Sequence, residues 1–337
     1  MGRQRKPYTG IWAAAGMLLL ILDARTGFQG AAEGIRLCIS SVIPSLFPFF
    51  VLSMVLTGTI AGSTWRGLRP LGRLCGLPKG AESLLVVGLM GGYPVGAQSI
   101  AQAYQAGSLN GQDAQRMLGF CSNAGPAFVF GILGSMFSTP WAGWFLWIIH
   151  ILSAIAVGII LPGRSSRTAV PTAGQTLSLP AALERSLKVM AGVCGWVVMF
   201  RMILAILNRW ILWILPENAQ IVAAGLLELT NGCFRLPTIE EQGLRFLLAS
   251  GFLACGGVCV TMQTLSVTGA LGLGQYIPGK LLQTGISLVL AGILQNLIFS
   301  GTDRCPLLPV LVIPGLFVCG NIIFLRITSR NPKAIGV

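Results

Sequence analysis

The sequence predicts an all-α polytopic membrane protein of about eight to ten membrane segments, arranged as two inverted repeats with broken or re-entrant helices. Three observations carry that expectation. Apolar stretches of nearly bilayer length recur along the chain, Lys and Arg are confined to four short clusters, and Gly and Pro interrupt apolar sequence at matching places in each half.

The apolar stretches come first. Only 10% of the 337 residues are charged and 54% are hydrophobic, against about 25% charged residues in a soluble domain. Stretches at 37–62, 117–137, 140–162, 187–215, 219–236, 245–267, 281–301 and 307–325 approach the roughly 20 residues needed to span a bilayer. Residues 8–24 follow a basic start and read as a short, retained first span, because no small-residue cleavage site follows Leu22. The lipid bilayer is the first partner. The net charge of +13 lies in the gaps between apolar stretches and forms no stripe, so nucleic acid is not expected as a partner.

The basic clusters set the topology. They are Arg3, Arg5 and Lys6; Arg66, Arg69, Arg73 and Lys79; Arg164, Arg167, Arg185 and Lys188; and Arg326, Arg330 and Lys333. The positive-inside rule places all four in the cytoplasm. Three apolar stretches (81–97, 117–137 and 140–162) lie between the second and third cluster and five between the third and fourth, and an odd number of full crossings cannot return to the same side. Each half therefore needs an element that does not cross fully.

Sequence supplies the candidates. Residues 81–97 carry Gly88, Gly92 and Gly96 with Pro94 among them, and proline lacks the helical N–H. Residues 118–134 break at Ser122-Asn123-Ala124-Gly125-Pro126, where Asn123 suits an N-cap and Pro126 a first turn. In the second half, GLLELTNGCF (225–234) and ASGFLACGGVCV (249–260) break in the same order. Exposed backbone at membrane depth is tolerated only inside protein or beside water. The expected organisation is a tail and first span (1–36), a first repeat (37–162), a cytoplasmic linker (163–186), a second repeat (187–325) and a cytoplasmic tail (326–337).

The strings GGYPVGAQ, FCSNAGPAFVFG and GLLELTNG, in that order, resemble the YlbJ family of sporulation integral membrane proteins, within the nucleoside-recognition (Gate) domain membrane proteins. The resemblance runs from about residue 43 to 325. It implies a fold like that of concentrative nucleoside transporters, and transport of a small polar or anionic solute, dipicolinic acid in the sporulation branch. It implies multi-pass residence in the cell membrane, specifically the mother-cell-derived outer forespore membrane. Carried over by position, it points to Gly91, Gly92, Tyr93 and Pro94, to Ser122 and Asn123, and to Glu228, Thr230 and Asn231 as substrate-binding residues. LACGGVC departs from the pattern, having no Asn that matches Asn123. A non-transporting assembly or signalling component of a sporulation membrane complex is the alternative function.

Several residues were also readable directly. Glu228 stands inside apolar sequence, where a carboxylate is either functional or ion-paired. Arg201 is the expected partner, since both lie roughly 12 to 14 Å below the same loop at 1.5 Å per residue. Arg201 is also the expected attractor of an anionic solute. Tyr93 and Asn123 either face a substrate or serve packing and capping. Asn123 and Asn231 are expected to line one cavity. Gly88, Gly92 and Gly96 either form a binding loop or allow close helix approach. His150, in WIIHILSA, is expected to pack or to bond backbone. GQYIPGKL (274–281) falls short of a phosphate loop because Leu281 stands where Ser or Thr is required. Of nine cysteines only Cys255 and Cys259 are close, without the second pair of a zinc site, so neither metal nor cofactor is expected. No enzymatic nucleophile motif is present. A coupling proton or sodium ion is the remaining expected partner.

Overall fold

The computed structural model describes residues 8–60, 66–163 and 178–299. Outside the described residues lie the expected last span at 307–325, the cytoplasmic tail, most of the linker, and Arg3, Arg5, Lys6, Arg164, Arg167, Arg326, Arg330 and Lys333. Every regular element among the described residues is helical. Five helical segments are long and apolar enough to cross a membrane: Ala24–Leu56, Trp141–Ile160, Leu179–Trp210, Gln242–Leu271 and Tyr276–Gln295. The chain is an integral membrane protein.

The first part of the chain builds a scaffold. Helix α1 (Tyr8–Leu22) is followed by α2 (Ala24–Leu37), which runs through a π turn at Cys38–Val42 into α3 (Ile43–Ile60). After a short α4 (Arg69–Leu74) come α5 (Glu82–Met90), α6 (Val95–Gln105), α7 (Gly111–Leu118) and the single turn α8 (Pro126–Phe128), then α9 (Trp141–Ile160). The second part opens with α10 (Leu179–Trp210), which packs along α2 and α3. Close approach is possible because Gly30 and Gly34 face α10: a Cβ on Gly34 would sit 2.8 Å from the Val198 Cα. Dispersion between tightly packed helices replaces a hydrophobic drive that lipid does not supply.

Four helix breaks follow where Gly and Pro predict them. Residues 91–94 separate α5 from α6, and residues 119–125 separate α7 from α8. In the second half α11 (Glu217–Leu227) is broken from α12 (Leu229–Arg235) at Glu228, which has extended backbone. Helix α13 (Gln242–Cys255) is broken from α14 (Gly257–Thr268) at Gly256, whose φ of +71° is left-handed and suits only glycine. Helix α15 (Tyr276–Ile298) packs on α9 and α13.

Within each half the breaks meet backbone to backbone. A Cβ on Gly92 would approach the Gly125 nitrogen to 3.1 Å, and one on Gly257 would reach the Gly225 carbonyl oxygen at 3.0 Å. Gly88 and Gly96 lie directly against the Cys121 backbone carbonyl. Close approach is thus the role of those two glycines, while Gly92, with φ +78°, also turns the chain. One large apolar cluster joins the halves and includes Phe128, Val129 and Ile132 from the first and Leu229, Cys233 and Phe252 from the second.

Candidate functional site

The paired breaks border a partly open cavity of about 40 Å³, which Phe49 and Phe50 of α3 and Val193 and Val197 of α10 also line. Gly91, Gly92 and Tyr93 line it from the first break, Ala124 and Gly125 from the second, and Glu228 and Thr230 from the third. Val260 and Gln263 close it from α14. At roughly 10 to 15 Å³ per water, it has room for about three waters.

Tyr93 ties the halves together. Its hydroxyl donates to the Leu253 carbonyl at 3.2 Å, near the end of α13, and its ring lies 3.4 Å from where a Gly256 Cβ would stand. The Tyr93–Pro94 peptide is cis. Glu228 is buried and forms the N-cap of α12: its carboxylate accepts from the Thr230 N–H at 3.0 Å, and from the Asn231 N–H at 2.6 Å and side-chain amide at 2.8 Å. A carboxylate at a helix N-terminus answers both the free N–H groups and the helix dipole.

Three expectations are corrected by this geometry. Arg201 does not pair with Glu228. It donates to Glu33 of α2 from Nε and Nη2, at 3.1 and 2.5 Å, and it does not line the cavity. The helical register that put Arg201 and Glu228 at one depth placed Arg201 on the α2 face of α10. Asn123 is not the cap of α8, a position taken by Gly125, although Pro126 does open that turn as expected. Finally, neither Asn123 nor Asn231 lines the cavity, although their chain neighbours do. Asn231 is folded onto Glu228.

Asn123 instead belongs to a buried polar cluster behind Tyr93. Its Nδ2 donates to the Phe120 carbonyl at 2.7 Å, and its Oδ1 accepts from Lys280 Nζ at 3.2 Å and Gln283 Nε2 at 3.0 Å. Lys280 also donates to Gln283 Oε1 at 2.7 Å and sits 5.1 Å from the centre of the Tyr93 ring. His150 does bond backbone, its Nε2 accepting from the Ala124 N–H at 3.1 Å. Ser122 is buried in the same break.

Sequence reasoning missed Lys280 and Gln283. Lys280 stands one residue before the apolar stretch at 281–301, within the GQYIPGKL string that falls short of a phosphate loop. What draws it inward is Gly279, which lies directly on the Gly119 backbone and seats the first turn of α15 against the break. The available signal was Gly279-Lys280 with Gln283 three residues on, the spacing that puts both side chains on one helix face.

A second cavity of about 250 Å³ adjoins the first, sharing Val193 and Gln263 with it. Arg185, Lys188, Gln98 and Trp196 are among its lining residues. Among the described residues no cluster of His, Cys, Asp and Glu suits a metal ion.

The chain is similar to the sporulation integral membrane protein YlbJ of Bacillus subtilis (strain 168). They are 28% identical over 148 residues, which is 42% of this chain. The match covers 36% of the relative's own length. No family model matches the sequence, and no solved structure matches it. The chain is therefore a membrane protein related, distantly and over part of its length, to a sporulation membrane protein.

Proposed function

We propose that the chain is a membrane transporter, not an enzyme, and carries a small polar or anionic solute through the junction of its broken helices. One observation carries this reading: Tyr93 of the first half and Glu228 and Thr230 of the second line one cavity between helix breaks. Broken helices that meet across two repeats form the substrate sites of many secondary transporters, because half-helix ends present free N–H and C=O groups inside the membrane. The paired backbone contacts within each half fit an inverted Gate-like repeat. The wider cavity with Arg185 and Lys188 is the cytoplasmic vestibule, and Gln263 and Val193 divide it from the central one. Glu228 is the place for a coupling proton or sodium ion.

Dipicolinic acid, a planar dicarboxylate, fits a basic vestibule; the relative's name supports a role in sporulation, and the outer forespore membrane is the proposed site. The test is flux into liposomes carrying the purified full chain, with labelled dipicolinate and uridine as probes. Saturable uptake of either above that of empty liposomes is expected. Uptake of neither, from correctly inserted protein, overturns the reading.

A further inference from the structure

Lys280 is the fifth residue of α15, a helix apolar enough to cross a membrane, and is 3% exposed. Its ammonium has two neutral oxygen acceptors, from Gln283 and Asn123, and the faces of Tyr93 and Tyr276 at 5.1 and 5.9 Å. No carboxylate among the described residues lies within ion-pair distance of it. Buried lysines in membrane helices are strongly unfavourable unless paired, and they mark substrate or ion paths. Carbonyl oxygens and aromatic faces all favour the ammonium form, yet none cancels its charge.

Among the described residues the one other buried cation, Arg116, is already engaged. Arg116 spends its guanidinium on the carbonyls of Cys75, Gly76, Gly158 and Leu161, where it staples the loops. Arg69 pairs with Glu82, and Arg201 with Glu33. Two further buried donors, one at the break between α7 and α8 and one on the His150 side chain that bonds it, have no acceptor among the described residues. These are the Ser122 hydroxyl, next to Asn123, and the His150 Nδ1–H, whose proton follows from Nε2 acting as an acceptor. His150 touches the same cluster, since Gln283 Nε2 reaches its carbonyl at 3.4 Å. A cation without an anion and two buried donors without acceptors share one chemical complement, an anionic oxygen ligand.

We infer that Lys280 is the countercharge for a carboxylate of the transported solute, with the donors of Ser122 and His150 at the same break and the Tyr93 ring over the ammonium. The inference rests on the transport reading and replaces Arg201 as the attractor of anions. In this form the Tyr93 ring covers the ammonium and also lines the cavity that Glu228 lines. Movement of the ring off the ammonium admits the solute, and a flat aromatic acid stacks where the ring stood.

The experiment uses the full chain in liposomes, with pyridine-2,6-dicarboxylate as the labelled probe and its neutral diamide as competitor. Lys280→Gln is expected to lower dicarboxylate uptake about 30-fold or more, the loss typical of a buried charge deprived of its partner. Arg201→Gln, on the ion pair with Glu33, is expected to stay within about twofold of wild type. In the wild type the diamide should fail to compete. A folded Lys280→Gln protein with wild-type uptake overturns the inference while leaving transport intact. If that variant does not fold, diamide competition equal to that of the dicarboxylate in the wild type overturns it instead. If the wild type moves no solute, its thermal stabilisation in detergent separates the two ideas. A rise with dicarboxylate and not with diamide supports the anion site alone, and no rise overturns both.

Discussion

At the scale of single residues, Glu228 and Asn123 show how one residue type in one sequence setting acquires a role from its neighbours. Glu228 is held by three N–H donors at the start of α12. Glutamine in its place keeps one oxygen but turns an amide donor toward the donors of Asn231. We predict that Glu228→Gln lowers stability by about 1 to 3 kcal/mol, the cost of leaving a buried hydrogen-bonding group unsatisfied. Detergent-solubilised thermal unfolding checks this. Uptake should fall much further than the folded fraction does, because the carboxylate also lines the cavity; uptake that tracks folded protein would reduce Glu228 to a cap. The carboxylate itself was legible in the sequence as an isolated charge in apolar surroundings. Its partner was not, because sequence spacing measures depth along a helix and says nothing of which neighbour the helix faces.

Between elements, glycine determines how closely the broken helices approach. Gly88 and Gly96 sit one on each side of the first break, and both rest on the backbone of Cys121 in the second. A methyl group at either position meets backbone, which cannot rotate aside as a side chain does. Gly88→Ala should therefore destabilise the protein by about 1 to 3 kcal/mol or more, with loss of monodisperse protein in size-exclusion chromatography. Gly192→Ala and Gly195→Ala, on α10, meet nothing within 4 Å and should be neutral. Equal losses at all four positions would mean that the glycines act through helix flexibility and not through contact. The four breaks were readable from Gly, Pro and Asn because these residues act on their own backbone. The pairing of one break with another was not readable, since it depends on which surfaces meet after the chain has folded.

Over the whole molecule, the distribution of charge gives a direction to the cavities. Arg185 and Lys188 line the wider cavity, and among the described residues Lys188 is bridged only to the exposed Glu184, at 2.7 Å. Exposed charges of this kind act on encounter more than on affinity, and salt screens them. In the transport reading, Arg185→Gln with Lys188→Gln should raise KM for a dicarboxylate severalfold at low salt and leave the maximal rate nearly unchanged, with the difference vanishing near 1 M salt, where the screening length is about 3 Å. A salt-independent fall in maximal rate would place these residues inside the transport step and refute the vestibule.

The sequence by itself determined that this is a helical membrane protein, and it located four interruptions in its helices. Both properties follow from local chemistry: hydrocarbon demands internally bonded backbone, and Gly and Pro alter that bonding where they stand. Only the tertiary structure decided which groups each charge meets. Arg201 turned to Glu33, Glu228 to the start of its own half-helix, and Lys280, at the edge of an apolar stretch, was carried inside by the Gly119–Gly279 contact. The reason is physical: a side chain's electrostatic partner is fixed by helix rotation and by the contact distance between elements, and neither is written in the residues on either side of it.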